Sequence, residues 1–170
     1  MKKLIIAALS LFVSAQACSW GFNGHRVTGA IAEQYLSEEA RAAISKILPD
    51  EDLAEASTYA DEMRSHPSAF WKKTASPWHY VNVYEGEQYG DKPAPPEGDA
   101  ITALAIFSKQ LKDPKRSLAD RQLALRFIAH IVGDLHQPLH TGTDKDRGGN
   151  TIKVEFYWKD SNLHTVWDSG

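Results

Sequence analysis

The segment His130-Ile-Val-Gly-Asp134-Leu-His136-Gln-Pro138-Leu-His140 decides the reading of this chain. Upstream of it, Leu123, Ala124, Phe127, Ile128 and Ile131 recur at helical spacing with Arg and Gln between them, which predicts one helix over 118–135. His130 and Asp134 both lie on that helix. Four residues at about 100° each come to about 400°, so the two side chains stand only about 40° apart on one face. That is ligand geometry for a metal ion. Pro138 cannot continue a helix, so the chain turns after Leu135 and His140 can return toward the same face from outside. His136 lies about 200° from Asp134 and cannot, so it is expected at the surface or behind the ligands. A His and an Asp at this spacing are more often a solvated pair or a core histidine than metal ligands. Their surroundings decide between the two.

At the amino end, Lys2 and Lys3, an apolar run over 4–13 and the small residues Ala15-Gln16-Ala17 have the three-part form of a secretory signal. The run is too short to span a bilayer. The mature protein is therefore expected outside the cytoplasm, secreted or periplasmic. Cleavage after Ala17 and cleavage after Ser19 both suit the small-residue rule. The second would discard Cys18, the only cysteine, and leave no disulfide within the chain. A lipid anchor on Cys18 is the rival, and the one route to a membrane in the mature form. Against it, Ala15 stands where a lipoprotein signal usually has Leu. There is no N-x-S/T sequon.

Loss of the two lysines takes the net charge from −3 to −5. That is the wrong sign for a protein gripping polyphosphate with Lys and Arg alone, unless bound cations reverse it locally. The remaining 150 or so residues suit one domain. Helices are expected at 24–36, 38–47, 51–64, 99–112 and 118–135, strand-like runs at 80–84 and 151–158, and a Gly/Pro-rich surface loop at 85–98. The fold class is mainly α with minor β structure.

The seven histidines keep informative company. His25 follows Trp20-Gly-Phe-Asn-Gly at a helix start and reads by itself as a cap-region histidine. Asp61 and Arg64, one turn apart, read by themselves as an exposed ion pair of little value. His79 sits in Pro77-Trp78-His79-Tyr80-Val81-Asn82, among aromatics where a solvated histidine has no reason to be. His66, before Pro67, is expected to be solvated. Asn162-Leu-His164-Thr-Val-Trp-Asp168 repeats the His-x-x-x-Asp spacing behind a cap residue. Two such pairs with further His and Asp candidates in apolar settings point to metal. Imidazole and carboxylate without thiolate favour zinc, with manganese or iron as alternatives, and the ligands outnumber the needs of one ion.

In this order, Trp20-Gly-x-x-Gly-His25, Ala60-Asp61-x-x-Arg64, Trp78-His79-Tyr80-x-Asn82, His130-x-x-Gly-Asp134-x-x-Gln-Pro-Leu-His140 and Asn162-Leu-His164-x-x-Trp-Asp168 resemble the trinuclear-zinc, single-strand-specific nucleases of the S1/P1 nuclease family. That family shares a helical fold with zinc-dependent phospholipase C. The resemblance implies one zinc on Asp61, His79, His130 and Asp134. It implies a second on the amino group and carbonyl of Trp20, on His25 and on Asp134 as a bridge. A third falls to His140, His164 and Asp168. A free Trp20 amine requires cleavage after Ser19, which defines a signal peptide at 1–19 and a nuclease domain at 20–170.

The implied chemistry is in-line attack on phosphorus by a water that two close zincs acidify, with the third zinc on the leaving oxygen and Arg64 neutralising charge. Asp61 and Asp134 complete the catalytic set. Tyr80 and Asn82 correspond to the base pocket, where stacking needs an unpaired base. The family often has Phe and Asp there, so base preference stays open. The expected partners are single-stranded nucleic acid or nucleotides, acted on by a monomer. The expected products carry 5′-phosphates, and 3′-mononucleotides are further candidate substrates. Relatives run on for further helices, so this chain is expected to lack the usual C-terminal helices and to hold its third zinc weakly. Phospholipase C activity and a non-catalytic zinc-binding fragment are the alternative readings.

Overall fold

The structure, a computed structural model, describes residues 20–170, so the signal-like segment and Cys18 lie outside the described residues. Seven α-helices follow in chain order. They are α1 (Phe22–Gln34), α2 (Glu38–Ile47), α3 (Leu53–Ala56), α4 (Tyr59–Glu62), α5 (Ala100–Lys112), α6 (Leu118–Asp134) and α7 (Leu163–Ser169). A hairpin of β1 (Lys153–Phe156) and β2 (Lys159–Asn162) precedes α7, antiparallel with Val154 opposite Ser161. The mainly helical expectation therefore holds. No helix among the described residues is long and apolar enough to cross a membrane.

The organising helix is α6. Ser117 caps it by accepting from the Asp120 N–H, and it ends within a residue of the expected position. Its Ala124, Phe127 and Ile131 face an aromatic core in which Phe127 stacks on Phe107 of α5 at 4.4 Å and on Trp71 at 5.5 Å. Leu125 faces a second apolar group with Ile47, Leu48, Leu53 and Ala56. With both flanks packed, α6 presents His130 and Asp134 inside the molecule. α1 and α3 cross at closest approach over Gly29, where a Cβ would stand 2.3 Å from the Leu53 carbonyl oxygen.

Four expectations are corrected. The helix expected over 51–64 breaks at Ser57-Thr58 into α3, α4 and a 3-10 turn Met63–Ser65. There the Ser57 and Thr58 hydroxyls bond back to the carbonyls of Ala54 and Glu55, a local competition for helical acceptors. The run 80–84 is extended but belongs to no sheet. Its Val81 and Val83 N–H groups bond His140 and Gly142 carbonyls at 2.8 and 2.9 Å, and then the loop carries the chain away. The run 151–158 is only half strand: Tyr157 and Trp158 have positive φ and turn the chain into β2. Helix α1 begins and ends two residues earlier than expected. Short helical turns at Phe70–Thr74, Ser76–His79 and Pro138–His140 were outside the periodicity reading.

Candidate metal centre

Six elements deliver the candidate ligands. His25 comes from the first turn of α1, Asp61 from α4, and His79 from the 3-10 turn Ser76–His79. His130 and Asp134 come from the end of α6, His140 from the 3-10 turn Pro138–His140, and His164 and Asp168 from α7. Apart from half-buried His164, all are buried, and His25, His130 and Asp134 are fully so. They gather into three groups whose ligand atoms lie within 4.8 Å of one another. These are His25, His130 and Asp134; Asp61, His79 and His130; and His140, His164 and Asp168.

Asp134 is the hub. Its Oδ1 lies 3.2 Å from His25 Nε2 and 3.1 Å from His140 Nδ1, and its Oδ2 lies 2.9 Å from His130 Nε2 and 3.2 Å from His79 Nδ1. His130 Nε2 and His79 Nδ1 approach to 2.8 Å, and the His25 ring stacks on His130 at 4.0 Å. Asp61 stands behind, 3.8 to 3.9 Å from His25, His79 and His130. In the third group His164 Nε2 is 2.9 Å and His140 Nε2 3.7 Å from Asp168. The close approach of α6 to His25 rests on Gly133, where a Cβ would meet His25 Nδ1 at 3.0 Å.

Backbone carbonyls fix the tautomers. His130 Nδ1 donates to Ser57 O at 2.7 Å and His164 Nδ1 to Gly148 O at 2.7 Å, so each ring turns Nε2 inward. The break in the helix at Ser57 is thus what supplies the acceptor for His130. Gln137, fully buried, donates to Asp168 and accepts from the Leu139 N–H, tying α7 to the turn that carries His140. The Gly21 N–H donates to the Asp168 carbonyl at 2.6 Å, which brings the start of the domain to the same helix.

The donor set fits divalent cations. Buried polar atoms are normally hydrogen-bonded, and leaving one unpaired costs about 1–3 kcal/mol. Yet His25 Nδ1 and Nε2, Asp61 Oδ2, His140 Nδ1 and Asp168 Oδ2 are buried here without a well-formed hydrogen bond, and His25 Nε2, His140 Nδ1 and Asp168 Oδ2 have only imidazole–carboxylate contacts of 2.9 to 3.2 Å. Imidazole nitrogens and carboxylate oxygens crowded together and so poorly satisfied by one another are what a cation would satisfy. Electrostatics agree. Burial pushes the Asp134 carboxyl up, but His130, His140 and His25 outweigh it and hold it well below the usual carboxylate range. Burial disfavours charge on His140, yet Asp134 and Asp168 raise it to about 9; burial likewise raises Asp168, but His140 and His164 bring it to about 2. His130 is raised by Asp134 and Asp61 against the cost of burial, whereas burial prevails at His79 and lowers it.

Beside the groups opens a cleft of about 360 Å³ lined by Arg64, His79, Tyr80, Asn82, His140 and His164, with Arg147 and Asn150 on its far loop. Arg64 Nη1 is 3.5 Å from Asp61 Oδ1, so this pair joins a cleft residue to a buried carboxylate and is no surface ornament. His136 is exposed with Nδ1 on the Val132 carbonyl, and His66 is exposed, both as expected. Trp20 lies with its ring over Gly24, its indole N–H buried without a partner. Sequence reasoning gave no role to Gln137, Arg147 or Asn150, or to the carbonyls of Ser57 and Gly148. A glutamine held just before Pro138 was the one visible hint; backbone acceptors leave no sequence signal.

A mainly helical scaffold with three contiguous imidazole–carboxylate groups beside one cleft is of the class that could hold divalent cations side by side. The S1/P1 Nuclease family matches residues 20–170, and the chain belongs to that family. It is 35% identical to endonuclease 4 of Arabidopsis thaliana over 96% of this chain and 58% of that protein. It is 30% identical to nuclease S1 of Aspergillus oryzae over 98% of this chain and 59% of that one. It is also 30% identical to nuclease P1 of Penicillium citrinum over 88% and 57%. The chain thus spans somewhat under two thirds of the length of the curated relatives it matches.

Proposed function

We propose that this chain carries the site of an exported zinc-dependent endonuclease that hydrolyses phosphodiester bonds of single-stranded DNA and RNA to 5′-phosphate products, with 3′-nucleotidase activity at the same site. The observation that carries the reading is the trio of ligand groups gathered at Asp134, opening on a cleft lined by Arg64, Arg147 and the exposed Tyr80. Zinc is favoured by the imidazole–carboxylate set without thiolate. One ion would be held by Asp61, His79, His130 and Asp134, a second by Trp20, His25 and Asp134, and a third by His140, His164 and Asp168. When bound, zinc supplies Lewis acidity, lowering the pKa of water toward neutrality and stabilising charge on phosphate oxygens.

The chain's own residues do the rest. Asp61 and Asp134 place negative charge between the imidazoles and so hold cations close together. Arg64, half in solvent, reaches the cleft and neutralises charge developing on the phosphorus oxygens. Tyr80 offers an aromatic face for a base, and Asn82 a donor and an acceptor for the base edge. A paired base cannot leave its stack to reach Tyr80 without a cost, so an unpaired strand is preferred. The reading includes a signal peptide over 1–19, a nuclease domain over 20–170 and a monomer without membrane attachment.

The test is zinc content together with turnover. Metal-free protein reconstituted with zinc should take up about three ions and cut single-stranded DNA faster than duplex, leaving phosphatidylcholine intact. Zinc uptake without hydrolysis of any strand would reduce the chain to a zinc-binding unit and overturn the enzymatic reading.

A further inference from the structure

A second cavity, of about 280 Å³, adjoins the cleft and shares Tyr80, Asn82 and Asp144 with it. Its geometry begins in the extended run 80–84. All five residues of this run line the cavity, Val81 buried among them, and Tyr80, Asn82 and Tyr84 stand at alternate positions that share one side of an extended chain. At about 3.3 Å per residue the two tyrosines stand about 13 Å apart along this ledge, with Asn82 midway. The far wall is the loop 85–98, stiffened by Pro93 and Pro95.

Tyr89 is the notable residue of that loop. Its ring is 46% exposed, yet its hydroxyl donates to both oxygens of Asp99 at 3.1 Å, and Asp99 is itself only 5% exposed. Asp99 in turn caps α5 by accepting from the Thr102 N–H. A large apolar face left open to solvent but locked at its polar end is a preorganised stacking surface. Tyr84 differs: Lys92 Nζ sits 3.4 Å over its ring and is paired with Glu87 at 3.0 Å. The carboxylates around the cavity, Glu87, Asp99 and Asp144, outnumber its one lysine. A phosphate is repelled there, whereas a neutral flat ring is admitted.

We propose that this cavity is a second base subsite, in which Tyr89 stacks on the base of a nucleotide neighbouring the one held at Tyr80. The proposal rests on the nucleic-acid reading above and deepens it: the protein grips its strand by two unpaired bases on one ledge. A duplex cannot offer two splayed neighbours at once, so the second subsite sharpens the selection for single strands.

Binding of fluorescein-labelled, phosphorothioate-linked hexamers to the zinc-loaded protein, followed by anisotropy, tests it. One hexamer carries adenine throughout, and the other carries the same backbone without bases. Tyr89→Leu should weaken the adenine hexamer about tenfold and leave the abasic one within twofold. Tyr89→Phe keeps the ring, loses the bond to Asp99, and should bind within about threefold of the parent. Asp99 retains Thr102 in both variants, so α5 keeps its cap. If the parent binds the adenine hexamer and Tyr89→Leu binds it equally well, the subsite is wrong and the nuclease reading stands. If Tyr89→Phe loses as much as Tyr89→Leu, the hydroxyl tether and not stacking is responsible, and the proposal falls. If the parent binds no hexamer at all, both readings fall together.

Discussion

Asp134 and His136 stand two residues apart and separate a hub from a bystander. Asp134 puts its carboxylate within 3.2 Å of four imidazole nitrogens, whereas His136 is exposed and touches only a backbone carbonyl. Asp134→Asn preserves shape but removes the charge that brings cations together. It should lose at least one zinc per chain by elemental analysis and at least about a hundredfold in hydrolysis. His136→Ala should keep at least about a tenth of the activity, since one exposed hydrogen bond is worth about 1 kcal/mol. Equal damage from both would show that the helix-face geometry does not govern the site. The pair His140 and Asp168 makes a pH prediction for the metal-free protein. His140 is raised from 6.5 to about 9, so its contribution to stability is full below 6.5 and is lost as pH rises through 9. Asp168 is lowered from 3.8 to about 2, so its contribution is full above 3.8 and is lost as pH falls through 2. Denaturant midpoints should therefore peak between about pH 3.8 and 6.5. A cation needs His140 neutral, so zinc affinity at this group should rise up to about tenfold per pH unit toward 9. A zinc affinity that does not change with pH would refute proton competition at His140.

The elements that matter most are the shortest or the most crowded. α1 can bring His25 to Asp134 only because Gly29 lets it lie against α3, with no room for a Cβ beside Leu53 O. Gly29→Ala should force the helices apart and cost about 1–3 kcal/mol in urea denaturation, and it should weaken zinc binding through His25. Unchanged stability would mean that α1 can shift freely, and that its packing does not set the site. α3 and α4 show the opposite economy. A single continuous helix over 51–64 would have buried the Ser57 carbonyl in its own ladder; broken, it offers that oxygen to His130. Propensity alone favours the continuous helix, and the tertiary bond explains the departure.

Across the whole molecule, the ligand groups differ in how they are held. The groups around Asp134 draw on α1, α4, α6 and the turn at His79, and His25, His130 and Asp134 are fully buried. The third group depends on α7, a seven-residue helix capped by Asn162, and on His164, whose side chain is 13% exposed. A helix so short is marginal without its tertiary contacts, so its ligands cost ordering entropy on binding. The ion at His140, His164 and Asp168 should leave first during stepwise dialysis against a weak chelator. Hydrolysis should slow at that step. Simultaneous loss of all ions would instead show one cooperative cluster.

The sequence by itself determined the candidate ligand pattern and most of the helices. His130 and Asp134 at i, i+4, the turn forced by Pro138, and the second His-x-x-x-Asp pair at 164–168 are local patterns, and a helix converts spacing into direction without help from the rest of the chain. The cap at Asn162 was legible for the same reason. What the tertiary structure decided was convergence. That His25, His79 and His140 all reach Asp134 depends on contacts 55 or more residues apart along the chain in two of those cases, which no periodicity encodes. The carbonyls of Ser57 and Gly148 that orient His130 and His164 are also invisible in sequence, because every residue has one. The run 80–84 reads as strand by composition, and only its surroundings withhold a partner strand. Local physics sets what each side chain can do, and the packing of α1, α4 and α6 sets which of them meet.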